Sequence, residues 1–123
     1  MLIQIVDDSP NMREAIKSVL SGLGAEFIES GDGDDAVKQY ANRKPDLVIM
    51  DIRMERTDGI AATRAIRTTH PEARVVIVTQ YDDNDLRNAA REAGAIGYIL
   101  KDDLSELLEV ITDPSKTMKS ASP

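Results

Sequence analysis

The 123-residue chain contains no cysteine, which excludes disulfides, thiol nucleophiles and Cys-based zinc sites and is compatible with a reducing compartment. It has no tryptophan and a single phenylalanine, so its core must be built from Ile, Val, Leu and Ala. No apolar run approaches the ~20 residues needed to cross a bilayer, and the N-terminal "MLIQIV" lacks the basic flank and length of a secretory signal. A soluble, cytoplasmic protein with no membrane contact is therefore expected. Positive charge is also in short supply. A formal net charge of −7 argues against the domain itself holding a phosphate backbone, because nucleic-acid affinity rests largely on Lys and Arg.

What is present is a regular alternation. Five strand-sized aliphatic runs, Leu2–Val6, Ala25–Glu29, Asp46–Met50, Arg74–Val78 and Gly97–Leu100, are separated by stretches with helical spacing. The helical stretches are Pro10–Leu20, Gly33–Asn42, Asp58–Thr68, Asp83–Ala93 and Leu104–Ile111. Strands joined through crossover helices pair in parallel, and near-continuous runs such as "LVIM" and "VVIV" suit strands covered on both faces. The expected fold is α/β, a (βα)5 doubly wound parallel sheet. Gly22 and Gly24 are expected to end the first helix and Gly94 the fourth, with Pro45 and Pro71 marking strand and helix boundaries. One domain, residues 1–112, is expected, followed over 113–123 by a linker-like tail rich in Ser, Pro and Lys.

In open α/β sheets ligands bind beyond the carboxyl ends of the strands, where strand order reverses. Those ends carry Asp7 and Asp8, then Asp51, Thr79 and Lys101, whereas the second strand ends only in Ser30 and Gly31. That omission fits an order of 2-1-3-4-5, with the second strand at an edge. Asp7 and Asp8 are not needed for capping, since Ser9 precedes Pro10, a residue favoured at the first position of a helix. Three carboxylates crowded at one sheet edge repel unless a divalent cation and a Lys ammonium offset them. Hard oxygen ligands with room for water favour Mg²⁺ over a transition metal.

The stretches "IVDDS", "LVIMDIRMERTDG", "VVIVTQ" and "GYILKDD", in that order at those strand ends, resemble the receiver domain of two-component response regulators, a flavodoxin-like fold. The likeness covers residues 2 to about 112, and "AGAIGYILKDDLSELLEVI" is most similar to the LuxR/NarL-type branch. The resemblance implies that Asp51 accepts a phosphoryl group from a sensor histidine kinase. It implies that Asp7, Asp8, Asp51 and the Arg53 backbone carbonyl hold Mg²⁺. Lys101 would contact Asp51 and the phosphoryl oxygens, Thr79 would donate its hydroxyl to them, and Tyr98 would change rotamer in response. Gln80, Arg53 and Tyr81 would tune access and acyl-phosphate lifetime, and Glu55 stands where a proline is common. The fourth and fifth helices with the fifth strand would form the output surface, acting on transcription through a DNA-binding domain absent from this chain, with dimerisation on phosphorylation.

Asp58 is expected to cap the third helix, and His70, the only histidine, to be a solvent-facing loop residue. Other readings differ in what they require. A single-domain receiver, or a pseudo-receiver that acts by protein–protein contact, would share the fold; the intact acid set argues against the pseudo-receiver. A phosphohydrolase with an aspartate nucleophile looks for a second acid where Arg53 stands. A flavin carrier needs a first loop rich in Ser, Thr and Gly, not "DDSPN".

Overall fold

A computed structural model of the chain describes residues 1–118. Five strands, β1 (Leu2–Val6), β2 (Glu26–Ser30), β3 (Leu47–Met50), β4 (Val75–Thr79) and β5 (Gly97–Leu100), alternate with five helices. These are α1 (Pro10–Val19), α2 (Gly33–Arg43), α3 (Gly59–Thr69), α4 (Asn84–Ala93) and α5 (Ser105–Thr112). All strand pairs are parallel and the order is β2-β1-β3-β4-β5, as the silent end of the second strand indicated. All strand and helix ends fall within one residue of those expected.

Alternation along the strands sorts side chains into two cores. Ile3, Ile5, Leu47, Ile49, Val76, Val78 and Ile99 face α1 and α5, where Ile16, Leu20, Leu107 and Val110 meet them. Val6, Val48, Met50, Val75, Ile77 and Tyr98 face α2, α3 and α4. This two-sided burial is why the strand sequences are apolar throughout rather than alternating.

Local chemistry sets the helix starts. The Ser9 hydroxyl accepts from the Met12 N–H at 3.2 Å, with Pro10 in the first helical position. Asp32, Asp58 and Asp83 cap α2, α3 and α4 in the same way, each accepting an N–H three residues on. Asp58 is thus the expected cap. The α1 end differs from expectation: the helix stops at Val19 and a 3-10 turn, Ser21–Leu23, follows before Gly24 turns the chain at φ +65°. Gly94 closes α4 at φ +103°.

Two further differences concern segments expected to be loose. His70 is half-buried, not solvent-facing, because its ring packs edge-on against the buried Tyr40 ring with centroids 5.0 Å apart. Part of the expected tail is folded back: Asp113 caps a 3-10 turn, Pro114–Lys116, and the Met118 N–H donates to the Ile96 carbonyl at 2.6 Å. The Met118 side chain packs on the α2–α4 core, which supplies the apolar anchor that the polar composition concealed. Residues 119–123 of that stretch lie outside the described residues. Among the described residues no helix is long and apolar enough to cross a membrane.

Candidate functional site

The carboxyl ends of β1, β3 and β5 open on one cleft of about 360 Å³, lined by Asp8, Ser9, Met12, Asp51, Arg53, Gln80, Tyr81 and Lys101. Parallel pairing brings Val6 beside Met50 in register, so Asp7 and Asp51, the next residues on each strand, emerge side by side. Each is fixed by a local N–H. Ser9 N–H donates to Asp7 Oδ1 at 2.8 Å, and Ile52 N–H donates to Asp51 Oδ1 at 2.9 Å. The Arg13 guanidinium, from α1, donates to the Asp7 backbone carbonyl.

Asp7 is 1% exposed and Asp51 5%, whereas Asp8 is open to solvent. Carboxylate oxygens of the three lie within 4.8 Å of one another. Lys101, carried by the turn after β5, reaches both buried acids, with Nζ 3.0 Å from Asp7 Oδ2 and 3.4 Å from Asp51 Oδ1.

These neighbours set the proton affinities. Burial, and then the Asp7 charge, push the Asp51 carboxyl up from 3.8 to about 6, against the opposing pull of Lys101 and the Ile52 N–H. For Lys101, burial alone would lower the ammonium, but its bonds and charges toward Asp7 and Asp51 prevail and raise it. One ammonium thus incompletely offsets three acids. The donor set suits a hard divalent cation: three carboxylates converge, and the exposed side of Asp8 leaves space for water ligands.

Of the residues singled out from sequence, Asp8, Asp51, Arg53, Gln80, Tyr81 and Lys101 line the cleft, with Asp7 buried behind them against Lys101. Arg53 and Gln80 are exposed, and the Arg53 guanidinium sits 5.2 Å from the centre of the Tyr81 ring. Thr79 ends β4 fully buried, and its hydroxyl accepts the Tyr81 N–H at 3.2 Å. Tyr98 does not reach the cleft. It points to the α4 side, 6% exposed, where its hydroxyl donates to the Tyr81 carbonyl at 2.6 Å and the Arg87 guanidinium lies 4.4 Å from its ring centre. Tyr81 therefore connects the two, bonded to Thr79 through its N–H and to Tyr98 through its carbonyl. Ser9 as an orienting donor, and also Met12 and Arg13, belong to the site without standing out in the sequence. Their only sequence signal is position, in the first turn of the helix that follows the acid pair.

The response regulator receiver domain family model matches residues 3–112, and the chain belongs to that family. The transcriptional regulatory protein YxjL of Bacillus subtilis is 35% identical over 108 residues, 86% of this chain and 50% of that protein. The chain spans about half the length of the first curated relatives it matches. A solved LuxR-family two-component response regulator from Aurantimonas is 33% identical with a TM-score of 0.88, covering 98% of this chain and 89% of that one. A chain of the CheX-CheY-BeF3-Mg²⁺ complex from Borrelia burgdorferi is a further structural neighbour, 27% identical with a TM-score of 0.87, over 94% of this chain and 89% of that one. The LuxR/NarL-type likeness read from the fifth strand and helix thus has counterparts among the chain's structural neighbours.

Proposed function

We propose that the chain is a phosphorylation-dependent switch in which Asp51 accepts a phosphoryl group from the phosphohistidine of a sensor histidine kinase. The observation that carries this reading is the Lys101 ammonium bridging Asp7 and Asp51 beside a third acid at an open cleft. An Asp51 oxygen attacks phosphorus in line. The P–N bond breaks, its electron pair stays on the imidazole nitrogen, and an acyl phosphate results. Such transfers depend mainly on positioning and on charge offset at the phosphoryl oxygens.

Asp7, Asp8, Asp51 and the Arg53 carbonyl would hold Mg²⁺. The bound ion would offset the negative charge of phosphoryl oxygens and carboxylates together. Lys101 supplies the second cation and follows the phosphoryl oxygens once Asp51 has reacted. The Thr79 hydroxyl turns toward those oxygens and releases the Tyr81 N–H. The loop after β4 then shifts and Tyr98 takes a different rotamer, altering the α4–β5–α5 face. Gln80, Arg53 and Tyr81 flank the entry and set how freely water and small phosphodonors reach the acyl phosphate. The domain catalyses its own phosphotransfer and dephosphorylation and is not a free-standing enzyme. Acting in the cytoplasm, it would control transcription through a separate DNA-binding region, with dimerisation on phosphorylation.

Beryllofluoride, which mimics the phosphoryl group, tests the reading. Amide NMR shifts at the cleft and across α4 and β5 should appear with beryllofluoride and Mg²⁺ together and be absent in Asp51→Asn. An equal response in that variant, or no response to beryllofluoride or acetyl phosphate, would refute it.

A further inference from the structure

The loop between β3 and α3 carries the backbone of Asp51 and Arg53 and is held from two sides. On the inner side, the Gly59 N–H donates to the Ile52 carbonyl at 2.9 Å, and a Cβ at Gly59 would lie 1.7 Å from the Asp51 carbonyl oxygen. The outer hold comes from α2, far away in sequence. A Cβ at Gly33 would lie 2.1 Å from the Thr57 carbonyl oxygen and 2.8 Å from its carbonyl carbon, so two backbones meet directly. Beside that contact the half-buried Thr57 donates its hydroxyl to the exposed Asp34 carboxylate, a charge-assisted bond. Arg56 adds an exposed ion pair with Asp32 at 3.6 Å, of a kind that contributes little.

The loop needs this hold. Arg56 adopts φ +62°, a left-handed conformation that side chains other than glycine resist. Strain of that kind persists only where the surroundings enforce it. The enforcing contacts at Gly33 and Asp34 act on the residue next to Arg56, and the strained turn lies between them and Arg53.

We infer that Asp34 and Thr57 are positioning residues for the magnesium and phosphoryl site: through their hydrogen bond α2 clamps the β3–α3 loop so that the Arg53 carbonyl is presented beside Asp51. The inference rests on the proposed phosphotransfer function. It adds to that function a helix that contributes no side chain to the cleft.

The test is titration of Mg²⁺ alone into the metal-free chain, followed by amide NMR, with thermal midpoints measured in parallel. Thr57→Val keeps the side-chain shape and removes the donor, and should weaken Mg²⁺ binding about fivefold, the equivalent of one net hydrogen bond. Amide exchange over 53–58 should quicken in the same metal-free variant. Thr57→Ser restores the donor and should return the affinity to within about twofold of the parent. Asp34→Ala should match Thr57→Val. Asp34→Asn keeps an acceptor without the charge and should lose clearly less than Asp34→Ala, which separates positioning from simple attraction of the cation. Parent-like Mg²⁺ affinity in both Thr57→Val and Asp34→Ala overturns the inference. So does failure of Thr57→Ser to rescue, or an Asp34→Asn loss equal to that of Asp34→Ala. A parent chain that shows no Mg²⁺-dependent shifts at Asp51 would overturn the phosphotransfer reading itself, a result distinct from all of these.

Discussion

The two faces of the sheet are built from different materials. Against α1 and α5 the buried core is aliphatic, with Phe27 partly buried beside it and Ile16, Leu20 and Leu107 almost wholly excluded from water. Against α2, α3 and α4 it holds six buried alanines, two tyrosines and polar groups that include Gln4 and Thr63. Gln4 donates to Ser30 and to the Ala36 carbonyl, yet among the described residues its Oε1 has no partner. Buried carbon is what anchors a helix, and alanines bury little of it. The α1 and α5 side is therefore a fixed foundation, whereas α4, whose buried residues are Ala90 and Ala93, is held lightly enough to rearrange. Tyr98, proposed to change rotamer in the switch, lies on that second face, with the Arg87 guanidinium of α4 over its ring.

The largest expected effect falls on the foundation. Leu107→Ala should lower unfolding free energy by about 3 kcal/mol in urea titration, the usual range for a fully buried leucine. A loss as small as that of an exposed site would break the contrast.

The edge that both faces share should respond in the opposite direction. With its carboxyl pushed up to about 6, Asp51 binds its proton more tightly folded than unfolded, so in Mg²⁺-free buffer the folded state loses stability as pH rises from about 4 through 6. Asp51→Asn should consequently stabilise the metal-free chain by about 2 kcal/mol at pH 7.5, with the gain shrinking below pH 6 as the parent takes up its proton. Thermal unfolding across that pH series checks both sign and window. A gain that grows on acidification would show that Lys101 outweighs burial and Asp7.

The smallest effect belongs to α4. Leu86 is half-buried, and Leu86→Ala should cost about 1 kcal/mol. Hydrogen exchange sharpens the point: α4 amides should exchange faster than those of α5 before any unfolding of the whole chain. Equal rates would mean that the alanine face is not the looser one.

Much of this was legible in the chain. Strand order followed from which strand ends carry chemistry, and the cleft followed from four short motifs, because parallel pairing converts sequence position at a strand end into spatial proximity. Caps at Ser9 and Asp58 were readable since capping is local. What escaped notice depends on contacts across long separations. Gln4 sits within an apolar run and reveals its buried polar role only once Ser30 and Ala36 are beside it. The Asp34–Thr57 bond joins a helix start to a loop, and neither residue belongs to a periodic pattern. His70 reads as solvent-facing from its place before Pro71 at a helix end, and Met118 falls in a stretch whose composition reads as a loose tail, but one aromatic neighbour and one carbonyl are enough to draw them in.

The two holders of the Tyr98 ring have a shared fate. The Tyr81 carbonyl and the Arg87 guanidinium both belong to the short run that leaves β4 and begins α4. A displacement of that run withdraws both grips in a single stroke, so the ring has little reason to rest halfway, and each molecule should occupy one of two states instead of a continuum between them.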